Sequence, residues 1–256
     1  MAAYVRFLYN FEFDSATITS SSEYGDLVDD NVVHKYVGKA WQATGKTEEW
    51  LKFNCGSATN IKEIAIFGYN LTSGATITLC AHATDLGDNK AAWSGVASYE
   101  TTLTYNAANL LKFLNETYQW GFICFEDAGN SDNIQIGRVC SGVYLDAAII
   151  PYDWSRSRID PSIKQRTEGY QGASRVRDKY WQYQIEWRYL SETDRDNLFT
   201  MFESIGNTEP VVISISPDGT LKNKYTIYAE LVTPFEEVFR KLDRGDVIKV
   251  VFTEIL

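Results

Sequence analysis

Short runs rich in aromatic and β-branched residues recur through the first part of this chain, each closed by a cluster of Gly, Asn, Ser or Asp. The run YVRFLYNFEF, Tyr4 to Phe13, is followed by the polar stretch ATITSSSEYG; WLKFNCG, IKEIAIFGYN, ATITLCAHA, LLKFLN, YQWGFICFED and NIQIGRVCSGVYLDAAII come after it. Alternation puts Ile64 and Ile66 on one face of their strand, and Ile77 and Leu79 on one face of theirs. Strand-length runs with turn signals between them and little helical periodicity predict an all-β sandwich over residues 1–150.

After Pro151 the texture changes. Residues 154–179, WSRSRIDPSIKQRTEGYQGASRVRDK, carry 7 Lys+Arg against 3 Asp+Glu and very few large aliphatics, and read as a long mobile arm. In YWQYQIEWRYL, Trp181, Tyr183, Ile185, Trp187 and Tyr189 fall on one side of a predicted strand. A helix over 192–205 follows. Ser191 caps it with Asp194 three residues on, Leu198, Phe202 and Ile205 form its apolar stripe, and Gly206 stops it. It is expected to lie on a sheet made of Val211–Ile215, a turn at Pro217, Asp218 and Gly219, a returning strand Tyr225–Leu231, and the closing run DVIKVVFTEIL. The predicted fold class is therefore mainly β: an N-terminal sandwich over 1–150 and a C-terminal β-barrel or sandwich over 151–256 with one packed helix. The strand 4–13 is free to pair with either.

Charge narrows the function. Of the net charge of −10, −8 belongs to the first part, where 9 Lys+Arg face 17 Asp+Glu over residues 1–150; residues 151–256 hold 15 and 17. A negative surface repels phosphate backbones and argues against nucleic acid as the main partner. The start MAAYVRFLYNFEFDS lacks the basic and apolar regions of a signal peptide, and no run approaches the length of a membrane span, so neither export by a signal nor membrane insertion is expected. Cys55, Cys80, Cys124 and Cys140 form no CxxC pair and read as reduced thiols.

Two resemblances add to this. EEWLKFNCGSATNIKEIAIFGYNL resembles the signature of discoidin-like, galactose-binding-like jelly rolls, through Trp50, Leu51, Phe53, Gly56, Ile61, Ile64, Ile66, Gly68 and Asn70. The upstream Leu27, Asp29 and Trp41-Gln42 extend the likeness to about residues 14–146. The second part, from IGRVCSGVYLD through YWQYQIEWRYLSETDRDNLFTMFESIGNTEPVVISISPD to YTIYAEL, resembles minor structural proteins of long-tailed bacteriophages, near the tail-tube and distal-tail (baseplate adaptor) folds. That likeness implies a virion tail protein that assembles as a homo-oligomeric ring, with tail tube protein, tape measure protein and baseplate hub as partners. In distal tail proteins an accessory sandwich more often follows the ring domain; here the jelly roll comes first.

Catalysis has little material. The only histidines are His34, in a polar loop, and His82, at a strand end; no GxSxG, HExxH or P-loop motif occurs, and no enzyme is expected. No cofactor is implied beyond Ca²⁺, for which Asp26, Asp29, Asp30 and Asn31 supply oxygens on a loop, without the spacing of a dedicated site. Sugar recognition by such sandwiches uses an aromatic on an end loop, and Tyr24, Tyr36, Trp41 and Trp93 lie in loop-like segments. The basic residues Arg156, Arg158, Lys164, Arg166, Arg175, Arg177 and Lys179 suit phosphate contacts by charge, but lack interleaved aromatics or a motif; an assembly arm docking on acidic faces of neighbours is the preferred reading. The alternative to a tail ring is a host-glycan-binding protein in which the jelly roll is the active module.

Overall fold

Two long strands, Glu49–Phe67 and Leu110–Glu126, pair antiparallel along most of their length and organise the first part of the chain. The computed structural model describes residues 4–147, 153–166, 172–188, 190–215, 217–233, 236–238 and 247–256. The register of the long pair shifts between Asn54 and Thr59 and again between Ile61 and Glu63; bulges of this kind bend a strand and let its two halves serve different neighbours. Thr17–Ser20, Thr76–His82, Tyr99–Leu103 and Arg138–Gly142 complete a six-stranded sheet, and Trp41–Gln42 pairs with Gln135–Ile136 in a second, two-stranded sheet.

The core between them holds Phe13, Trp41, Phe53, Ile64, Ile66, Ile77, Leu79, Ile123, Phe125 and Ile136, so both alternation readings of the sequence point inward. Phe13 stacks on Phe53 at 4.1 Å. The first body is thus a β-sandwich. The outer face of its main sheet is covered as well. Trp50, Cys80, Phe122 and Cys124 lie under the segment around the short helix Lys90–Trp93, and Trp93 stacks on Phe122 at 5.1 Å. Lys52, on the strand below, donates to Asp85 at 2.9 Å and also binds Asp88, anchoring that segment.

A second antiparallel sheet runs in the order Tyr144–Ala147, Val5–Leu8, Val211–Ile215, Thr226–Leu231, Val247–Glu254, Tyr180–Arg188, Asp153–Ile159, with Glu236–Val238 also on Val247–Glu254. The first aromatic run is therefore divided: Val5–Leu8 pairs with the C-terminal sheet, while a 3-10 turn at Glu12–Ser15 delivers Phe13 to the first core. Tyr144–Ala147 pairs with Val5–Leu8, so sheet membership changes ahead of residue 150. Only residues 148–152 separate the two edge strands in sequence, a reach of roughly 20 Å. Six flat inter-strand spacings would span roughly 29 Å, so this open sheet is coiled.

Alternation along these strands sends side chains to two different partners. Val211, Ile213, Ile227, Ala229, Tyr183, Ile185 and Trp187 pack beneath the helix Glu192–Ile205 through its Leu198, Met201, Phe202 and Ile205. The helix begins where Ser191 Oγ accepts from the Asp194 amide at 3.1 Å and ends at Gly206, φ +53°. On the opposite face, Leu8, Val212 and Tyr228 meet Ala65, Phe67, Leu111 and Cys140 of the sandwich, joining the two bodies.

The segment 154–179 corrects the sequence reading. Asp153–Ile159 is an edge strand in register with Tyr180–Glu186, and Ile163–Arg166 pairs with Gly172–Arg175 as a hairpin. The Ser/Arg alternation lacks an apolar stripe, and the pairing that makes it a strand is supplied by the neighbour. Tyr189 lies outside the described residues.

Candidate functional site

Loop 21–40 leaves the strand Thr17–Ser20 and returns at Trp41–Gln42, at one end of the sandwich. It is pinned throughout. Glu49, nearly buried, accepts from the hydroxyls of Ser21 and, at 2.8 Å, Ser22. The Tyr24 amide donates to Gln42 O at 2.8 Å, the Gln42 amide to Leu27 O at 3.1 Å, and Val32 enters the core. Val37 sits in a notch between two glycines: a Cβ on Gly137 would stand 2.5 Å from Val37 O, and one on Gly68, whose φ is +65°, 2.3 Å from Val37 Cγ1. The same loop reaches the second body, where Lys35 lies 3.5 Å from Glu230.

On this fixed backbone two aromatic side chains stand out, Tyr24 at 57% and Tyr36 at 55% exposure. The Tyr36 amide donates to His34 Nδ1 at 3.2 Å and its ring lies 5.6 Å from the imidazole. Partial burial and the Lys39 ammonium, 3.2 Å from Nε2, hold His34 below the usual imidazole value. An exposed phenol on a fixed loop loses little freedom on stacking against a ring, and its hydroxyl is available to polar groups.

The neighbouring loops are welded by amide and carboxylate groups. Asp127, buried, accepts from the Thr72 amide at 2.7 Å and hydroxyl at 2.6 Å; Asn130 donates to Asn70 O at 3.0 Å, and Asn70 to Asn133 O at 2.7 Å. These oxygen-rich turns are spent on structure. Among the described residues no three His, Cys, Asp or Glu side chains converge as a metal site. Asp26, Asp29 and Asp30 accordingly form no such cluster, and Asn31 donates its amide to Ala40 O at 3.1 Å.

Two of the four predicted sugar contacts are corrected. Trp41 and Trp93 are fully buried; the Trp41 indole donates to Ser22 O and that of Trp93 to Gly87 O, each at 2.8 Å. Both are framework, with no face open to a ligand. Three of the thiols are buried and Cys55 is half-buried: burial pushes Cys80, Cys124 and Cys140 up to about 12 and Cys55 up to about 11. A thiol held so far above neutrality is no nucleophile. His82 Nδ1 accepts from the Ser98 amide at 3.1 Å, a loop-holding role.

The basic residues separate into two groups. Lys164, Arg175, Arg177 and Lys179 are exposed on or beside the hairpin, with Lys179 3.4 Å from Asp160; the Arg166 side chain lies outside the described residues. Arg156 and Arg158 instead stack on Trp181, at 3.4 and 4.8 Å from the ring centroid. Alternation marks their partner Trp181 as a strand residue, but the nearby Lys224 and Glu254 are not marked by any local pattern; strand pairing brings them together.

No protein-family model and no curated protein matches this chain. Among solved structures it is similar to a Streptococcus pneumoniae fucose binding module, SpX-3 (9% identity, 53% of this chain and 99% of that one, TM-score 0.42). It is also similar to the family 32 carbohydrate-binding module of Clostridium perfringens NanJ in complex with galactose (15% identity, 54% and 99%, TM-score 0.40). A third is the lectin domain of lectinolysin complexed with Lewis B antigen (11% identity, 52% and 97%, TM-score 0.40).

Proposed function

We propose that this chain is a non-catalytic carbohydrate-binding protein whose sandwich presents loop 21–40 to a glycan. The observation that carries this reading is the pairing of exposure with fixation: Tyr24 and Tyr36 are open to solvent on a backbone tied down by Glu49, Gln42 and the Gly68–Gly137 notch. The sequence resemblance to galactose-binding-like jelly rolls implies the same ligand class. An immobilised-glycan array probed with the full chain tests it; retention on a defined subset of sugars is expected, and uniform absence of retention contradicts it.

One observation favours a second reading, a ring-forming structural subunit of a phage tail near the tube–baseplate junction. Among the described residues the basic hairpin Ile163–Arg166/Gly172–Arg175 pairs only with itself, and it bears apolar side chains in solvent, Val176 at 82% and Ile163 at 43% exposure. A basic projection with an apolar edge suits docking on an acidic neighbouring subunit. Light scattering of the chain with and without residues 161–177 tests it: a defined oligomer lost on deletion supports the ring, and a monomer in both cases contradicts self-assembly.

A further inference from the structure

A cavity of about 380 Å³ opens where the two bodies meet; Val37 of loop 21–40 is in its wall, and Tyr24 and Tyr36 are not among its lining residues. That volume falls in the range of small-molecule sites, roughly 300–1,000 Å³. Its charged side chains are Arg156, Arg158, Lys224 and Glu254, and Leu256 also lines it: three cationic side chains against one carboxylate side chain, in a chain of net charge −10.

The carboxylate is already engaged. Glu254 Oε2 accepts from the Trp181 amide at 2.7 Å and lies 3.8 Å from Arg158 Nη1. Arg156 has no ion pair among the described residues, and neither has Lys224. The Arg156 guanidinium is flattened on Trp181 and lies 5.7 and 5.8 Å from the rings of Tyr183 and Tyr225. Stacking fixes the plane of a guanidinium and leaves the N–H groups at its edge for a planar oxyanion, the geometry in which Arg binds carboxylate or phosphate in a fork. Unneutralised cations gathered in a cleft are unfavourable by themselves and attract an anion from solution.

The rest of the wall suits a ring with hydroxyls. Phe67 and Tyr228, 5.6 Å apart and nearly buried, back the cavity, and Asn109 is oriented by donating Nδ2 to Thr226 O at 2.8 Å. We propose that this cavity binds an acidic saccharide unit, its carboxylate docking on Arg156, Arg158 and Lys224 and its ring lying between the two bodies. The site uses none of the side chains of loop 21–40 assigned to glycan contact, so the two proposals stand or fall separately.

Calorimetric titration of the full chain with D-glucuronate tests this, with D-glucose and inorganic phosphate as comparators. Glucuronate is expected to bind and glucose not. Arg156→Gln and Lys224→Gln are each expected to weaken glucuronate roughly tenfold, the loss of one charge-assisted contact. Failure to bind at millimolar glucuronate, or equal affinity in the wild type and both variants, overturns the site. Phosphate binding as tightly as glucuronate overturns the sugar assignment. Melting temperatures accompany each titration; should Arg156→Gln unfold, Lys224→Gln, at an exposed position, carries the comparison.

Discussion

Nη2 of Arg138 donates to both carboxylate oxygens of Asp14 at 2.7 Å, with its guanidinium 5.0 Å from the Phe11 ring centroid and 5.7 Å from that of Tyr228. Arg138 belongs to the sandwich and Tyr228 to the second sheet, so this fully buried cation sits at the seam between the bodies. Asp14→Ala removes its counter-charge. Breaking a fully buried pair costs about 3–5 kcal/mol; because the Asp14 side chain is 41% exposed, water compensates in part, and a loss of about 2–3 kcal/mol is expected. Arg138→Met, which removes the buried charge, is expected to be milder. Denaturant unfolding ranks the two, and the reverse order would contradict the account.

A second buried charge gives a pH dependence. Glu63 is buried at 1% exposure and neither carboxyl oxygen has a hydrogen-bond partner among the described residues. Burial pushes its pKa up to about 8; Asp146 adds to the rise, and Arg6 and Lys222 oppose it. Below about 4.5 the group is protonated in folded and unfolded chains alike. Between about 4.5 and about 8 the unfolded chain releases a proton that the folded chain retains, so stability falls as pH rises through that window, at up to about 1.4 kcal/mol per unit. Glu63→Gln should flatten this component. Melting curves at pH 5 and pH 8 read it out, and identical pH dependence in the two proteins would contradict it.

Burial separates the aromatic candidates. Trp93→Ala, which strips the cover from Phe122 and Cys80, and Trp41→Ala, inside the core, should each cost about 3–5 kcal/mol. Tyr24→Ala and Tyr36→Ala, both in solvent, should stay within about 0.5 kcal/mol of the wild type. A thermal-shift series checks this; a large loss on replacing either tyrosine would show that it packs rather than presents.

Gly137→Ala probes the notch beneath Tyr36. The added methyl meets Val37 O at 2.5 Å and Gly68 O at 3.1 Å, and backbone has to move. A cost of about 1–3 kcal/mol is expected, together with displaced amide resonances for residues 35–38 in a heteronuclear NMR spectrum. An unshifted loop would contradict the packing of Val37.

Much of the frame was legible in the sequence because it depends on local pattern. The alternation of Ile64 with Ile66 and of Ile77 with Leu79, and the Ser191 cap with the Leu198–Phe202–Ile205 stripe, state a face or a terminus within a few residues. The site was less legible. Trp41 and Trp93 neighbour polar turns just as an exposed aromatic would, and only the arrival of Phe125 and Phe122 shows them to be core. Arg156 and Arg158 gave no strand signal because their strand lies at a sheet edge and takes its order from Tyr180–Glu186. The cavity they line needs Asn109, Trp181, Lys224 and Glu254 brought together from distant parts of the chain, which no local periodicity records.

The most direct test of glycan recognition by loop 21–40 is the affinity of the best-retained array sugar for the wild type, for Tyr24→Ala/Tyr36→Ala, and for Arg156→Gln, measured by calorimetry. Loss of an aromatic platform on each of two residues predicts at least a roughly tenfold weaker complex in the double tyrosine variant, with an unchanged melting temperature and an Arg156→Gln variant that binds this sugar like the wild type. Wild-type affinity in the folded double tyrosine variant would contradict the assignment of this loop as the glycan contact.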